Sequence, residues 1–223
     1  MKFIWSTTKL KTGVLIILLL PLSLKAKADP WQSWDEELIR TLNTAAHAAY
    51  LNDEEKKVIL FMNMARYDGQ LFSETFLKAY ISEKRLENNS YIKSLRRDLK
   101  KVKQLKALMP EQDLTSVARD HARLMGEKGR TGHDGFKKRF EPLMGKPYLH
   151  VGENCSYGYE RAIDIVLSLL IDDGIKDVGH RKNILAPDFN AVGVAIRPHK
   201  TYRVNCVMDF GSMDRSTLND LPY

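Results

Sequence analysis

Ala191 to Gly211 reads AVGVAIRPHKTYRVNCVMDFG. Two apolar runs, 191–197 and 202–210, flank the turn-forming Pro198-His199-Lys200, which is the pattern of a β-hairpin. In the second run Val204, Cys206, Met208 and Phe210 alternate with Arg203, Asn205 and Asp209. That period of two predicts a strand with one buried and one exposed face. Upstream, LHVGENCSY at 149–157 is a third strand-like piece, and the apolar, helix-period stretch 161–171 separates it from the hairpin.

Moving towards the N-terminus, the grammar becomes helical. Residues 113–128 place Leu114, Val117, Ala118, His121 and Met125 on one side, and Gly129 follows as a stop signal. His121 on that apolar face reads as a core histidine. Asn52 with Glu55 forms a capping-box pattern ahead of Val58, Phe61, Met62 and Ala65, predicting a helix to about Asp68. Residues 29–50 have helical period around Trp31, Trp34, Leu38, Leu42 and Ala45. Residues 74–108 predict one or two amphipathic helices carrying the basic cluster Lys93, Arg96, Arg97, Lys100, Lys101, Lys103 and Lys106. The chain therefore reads as α/β, a small antiparallel sheet covered by helices. It divides into a leader at 1–28, a helical extension at 29–50, a domain at 51–212 with a basic helical insertion near 74–108, and a tail at 213–223.

The leader has the design of a secretory signal. Lys2, Lys9 and Lys11 precede the apolar run Gly13 to Leu24, and Ala26-Lys27-Ala28 offers a cleavage site after Ala28. A secreted or periplasmic protein is expected. The net charge of +7 includes five leader lysines and no leader acid, so the remaining chain carries only about +2. A nucleic-acid partner is accordingly not expected, whereas the basic cluster suits contact with an anionic surface. Cys155 and Cys206 would enter an oxidising compartment, and a disulfide between them or two buried thiols are both open.

Three strings join glycine to a titratable side chain: Gly132-His133-Asp134, Gly152-Glu153-Asn154 and Gly179-His180-Arg181. Imidazole and carboxylate are usual zinc ligands, but the spacing alone does not force these residues together.

Their order resembles the CAP superfamily (cysteine-rich secretory, antigen 5 and pathogenesis-related 1 proteins) in its bacterial form. The match runs from the helix with Asn63 and Arg66, through His133, to VGENCSYG at 151–158, GHRKNIL at 179–185, AVGVAI at 191–196 and YRVNCVMDFG at 202–211. The resemblance implies a three-layer α-β-α sandwich with a cleft of two histidines and two acids. His133 and His180 would be the imidazoles that take a metal, zinc being the implied cofactor, and Glu153 the first acid. The family's second acid follows a Trp by three positions; here Leu170 replaces the Trp and Asp173 falls at the acid position.

Two classes of function compete. One is a binding module whose cleft takes a small apolar molecule, a peptide or an envelope component without turnover. The other is a metal-assisted peptidase or esterase with Glu153 as general base. A third reading is an envelope interaction role carried by the extra helices at 29–50 and 74–108.

Overall fold

The computed structural model describes residues 29–144 and 147–213. The leader and all but the first residue of the tail lie outside these residues. Four strands form one sheet in the order β1-β3-β4-β2: β1 Met109–Pro110, β2 Tyr148–Tyr157, β3 Ala191–His199 and β4 Arg203–Met213. β2, β3 and β4 pair antiparallel, and β1 runs parallel to β3. A two-residue strand is too short to show alternation, which is why β1 leaves no sequence signal.

One face of the sheet carries most of the helices. α1 (Glu36–Leu42), α2 (Asp53–Tyr67), α3 (Gly69–Phe72), α4 (Lys78–Lys84), α5 (Ser90–Lys101) and α8 (Ala162–Ile171) pack into a single apolar core with Val192, Val194, Cys206, Met208 and Phe210. Basic α5 enters this core through Ile92, Leu95 and Leu99. The expected long helix over 29–50 is only a 3-10 turn and seven-residue α1, because the chain after Leu42 is tied down locally. Asn63 donates to the carbonyls of Leu42 and Leu108, and Thr44 donates to Leu108 as well.

α2 begins with the expected capping box at Asn52 and Glu55. Glu55 also accepts from the Ile196 backbone and from Arg197, fastening α2 to β3. Further along α2, buried Arg66 donates all five of its N–H groups to carbonyls, those of Lys106, Ile184, Ala186 and Phe189. Burial lowers its pKa to about 10, which still leaves a cation at neutral pH.

α6 (Gln112–Lys128) covers the other face, followed by α7 (Phe136–Phe140), which completes three layers. Its approach to β3 is so close that a Cβ on Gly193 would meet the Leu114 backbone at 2.1 Å, and one on Gly126 would meet the Pro198 carbonyl at 2.0 Å. Only glycine fits at those crossings. This second layer corrects the half-exposed expectation for β4: Asn205 and Asp209 are buried at 1% and 0% exposure, because α6 lies over the face that the alternation assigned to water. The turn expected at Pro198-His199-Lys200 lies further on, at 200–202, because Pro198 and His199 extend β3 and pair with Val204 and Arg203. His199 is buried, donating to the Arg130 carbonyl and accepting from the amides of Thr201 and Tyr202.

The cysteines are both free. Cys155 opposes Val207 on the α6 face, whereas Cys206 opposes Ser156 and belongs to the α2/α8 core. The sheet itself stands between the two sulfurs, which rules out their pairing. Two thiols per chain are therefore expected to react with Ellman's reagent, and only after denaturation; a titration finding none would contradict the strand register. Arg66→Met leaves four carbonyls short of donors and is expected to cost about 3–5 kcal/mol in urea unfolding.

Candidate functional site

The site gathers at β2, the edge strand of the sheet. α6 ends at Gly129 in the left-handed conformation, and a loop with Gly132 at φ 105° brings His133 to the strand. Glu153 lies on the α6 face of β2, opposite Asp209 of β4. His133 Nδ1 donates to Glu153 Oε1 at 2.7 Å, and Arg139 of α7 donates to both carboxylate oxygens at 2.7 and 3.0 Å. Burial alone would raise the Glu153 pKa, but His133 and Arg139 outweigh it and hold the carboxyl at about 2. Its side chain is 1% exposed. A carboxylate so weakly basic and so fully engaged cannot serve as the general base assigned to it from sequence.

Across the strand, on the opposite sheet face, α9 (Gly179–Leu185) carries His180. Here the structure corrects the second acid. Asp173 is exposed and accepts from Asn89, while Asp172 is buried with its Oδ1 2.7 Å from His180 Nδ1. The cause is the end of α8, where Asp172 caps the helix in the left-handed conformation (φ 57°). That turn sends its carboxylate back under α9, to accept from the His180 amide too, and leaves Asp173 pointing to water. Asn154 donates to the His180 carbonyl, and Asn183 donates to Asn154 Oδ1, so the second histidine is fixed to the residue beside Glu153.

Thus His133 and Glu153 touch, and His180 joins them through Asn154. Among the described residues no hydrogen bond or ion pair links His180 directly to His133 or Glu153. Each histidine spends Nδ1 on its own carboxylate and keeps Nε2 free, with side-chain exposures of 49% for His133 and 23% for His180.

Beneath Glu153 lie groups that sequence reasoning did not place in the site. His121, expected in the core, is buried there but also lies 3.8 Å from Glu153; its Nε2 donates to the Gly132 carbonyl, and Nδ1 has no partner. Burial lowers its pKa. Cys155 Sγ is 3.9 Å from His133 Nδ1, and burial pushes its thiol pKa up. Ligand atoms of His121, Glu153 and Cys155 lie within 4.8 Å of one another. This trio does not fit zinc: His121 presents an N–H rather than a lone pair towards Glu153, the cysteine is a thiol, and Arg139 already neutralises the carboxylate. The free Nε2 atoms of His133 and His180 do suit a metal, since a carboxylate behind Nδ1 is the usual support for a ligating imidazole.

Asp209 is the other missed member, hidden from the sequence by its place in an alternating strand. Both its oxygens are buried with no donor in reach. Burial, reinforced by the neighbouring Glu153 charge, raises its pKa well above the ordinary value. As the neutral acid, Asp209 can donate its proton to Glu153.

The sequence model of the CAP cysteine-rich secretory protein family matches residues 89–210, more than half of the chain. The chain belongs to that family. The CAP fold also brings similarity to solved structures. An outer surface protein from Borrelia burgdorferi is 18% identical with a TM-score of 0.42, covering 58% of this chain and 97% of its own. Venom allergen-like protein 4 from Schistosoma mansoni is 13% identical with a TM-score of 0.45, covering 74% and 91%. An extracellular SCP-domain protein from Bacillus anthracis is 22% identical with a TM-score of 0.39, covering 54% of this chain and 37% of its own. A comparison with curated proteins found no match.

Linkage gives the CAP site a signature in pH. Glu153, depressed from 4.5 to about 2, stabilises the fold above its unfolded pKa, and that contribution is lost as pH falls towards 2. Asp209 acts in the opposite sense: its raised pKa makes stability fall as pH rises above its unfolded value near 3.8. Asp209→Asn keeps a donor for Glu153 and removes this titration. Relative to the parent, the variant is expected to gain stability as pH rises above about 4. Urea midpoints that run parallel over that range would show Asp209 to be ionised.

Proposed function

We propose that this CAP protein is an exported, non-catalytic binding module that takes an extended peptide along the outer edge of β2, beside His133 and His180. The observation that carries this reading is the commitment of both site carboxylates to orienting histidines, which leaves neither carboxylate free to act as a base. Cys155 is a buried thiol with a raised pKa, and Ser156 is buried on the sheet face opposite Glu153, so an activated nucleophile is lacking as well. An edge strand offers backbone groups to an added strand, and the two outward imidazoles would set register and preference. Export rests on the signal-like leader. Among the described residues no helix is long and apolar enough to cross a membrane.

A second reading is favoured by one observation, the carboxylate behind each Nδ1: the two imidazoles bind a divalent metal such as zinc. It would add a Lewis acid or a bridge to a ligand carboxylate.

The test compares residues 29–223 with the His133→Ala, His180→Ala double variant. A phage-displayed peptide pool is expected to yield binders whose affinity falls at least tenfold in the variant, with or without zinc, and no peptide or ester substrate should turn over. Hydrolysis by the parent that disappears in the variant would overturn the non-catalytic reading. Calorimetry separates the metal reading, which requires one zinc per chain, lost in the variant.

A further inference from the structure

Seven cations cluster in residues 93–106. Positions 93, 96, 97, 100 and 101 recur at intervals of three and four, which puts them on one face of α5, and the opposite face is the buried row Ile92, Leu95 and Leu99. Lys103 and Lys106 continue the exposed row past the end of the helix. None of the seven lies within ion-pair distance of a described carboxylate. Elsewhere Lys57, Lys84, Arg123, Arg130, Arg161 and Arg197 have acidic partners, whereas Lys78, Arg85, Lys128 and Lys200 are exposed without one among the described residues, but singly rather than in a row. The one acid in the stretch, Asp98, is claimed from within the fold by buried Arg181 at 2.9 Å.

The stretch carries a net charge of +6, whereas the chain after the leader carries about +2, so the rest of the molecule is net negative. Like charges three and four apart cost a helix a few tenths of a kcal/mol per pair. α5 bears that repulsion at 93/97, 96/100 and 97/101, offset by its buried row and its Asn89 cap. The five bases of α5 spread along the exposed face of one helix, which suits an extended planar array of negative charge, whereas Lys103 and Lys106 each line a surface pocket beyond it.

We infer that the outward face of α5, continued by Lys103 and Lys106, docks the protein on an anionic phospholipid surface. The orientation follows from the charge separation: α5 faces the lipid, and the negative remainder is held away from it. Each base near such a surface contributes about 1 kcal/mol, weakened by salt. The interaction is independent of the β2 edge.

Co-sedimentation of residues 29–223 with vesicles tests this. Binding is expected to vesicles containing phosphatidylglycerol, not to pure phosphatidylcholine, and is expected to be released by salt. Replacing Lys93, Arg96, Lys100 and Lys101 by Gln, a good helix former, should lower partitioning at least tenfold with helicity and melting midpoint retained. Replacing exposed Lys128 and Lys200 by Gln should leave it unchanged. The proposal is overturned if the parent ignores anionic vesicles, including the case where it binds only soluble heparin or nucleic acid, or if the α5 variant binds as the parent does.

Discussion

A single buried guanidinium ties together the pieces that hold α9 against the sheet. Arg66 is charged, fully enclosed and without a carboxylate, so its enclosure is tolerable only because every N–H meets a carbonyl. Those carbonyls come from the approach to β1 and from the link between α9 and β3. The position of α9, and with it His180, is therefore set by a residue three turns into α2. Arg181 repeats the device one layer out: it binds the carbonyls of Leu170, Ile171 and Tyr91 together with Asp98, joining α8, α9 and α5. Irregular segments are thereby held by side chains that sit on regular ones.

The second constraint is the nearness of α6 to the sheet. With glycine at both crossings, the helix lies low enough to seal the face that carries Glu153, Cys155, Asn205 and Asp209. Sealing makes the electrostatics of that face strong, because charges there are screened little by water. It explains why Glu153 draws in both His133 and Arg139, and why Asp209, lacking any cation of its own, is left to carry a proton.

The hairpin, the three main strands, the capping box and the stop at Gly129 were legible because each rests on local chemistry that a short window contains. The family resemblance singled out His133, Glu153 and His180, and the structure puts His133 in contact with Glu153 and His180 beside Asn154. What escaped depended on a second layer or a single dihedral. Asn205 and Asp209 alternate like solvent-facing residues, and nothing in β4 itself announces α6. Asp172 and Asp173 are chemically alike at neighbouring positions, and only the left-handed turn at the end of α8 decides which reaches His180. The cysteine question fell the same way, since a shift of one residue in register decides which side of a sheet a sulfur occupies.

Two histidine–carboxylate pairs flank the edge strand β2. Each ring is held at Nδ1 by an acid that is itself buried, so neither ring has freedom to seek a partner. His180 is tied to β2 through its backbone carbonyl, which accepts from Asn154, and Asn183 fixes Asn154 in turn. The orientation of both imidazoles is thus set by the fold itself. Such fixing lowers the ordering cost of binding. It also occupies both carboxylates, so neither Glu153 nor Asp172 is free to take a proton, and whatever proton chemistry the pairs could do falls to the outer nitrogens of the rings.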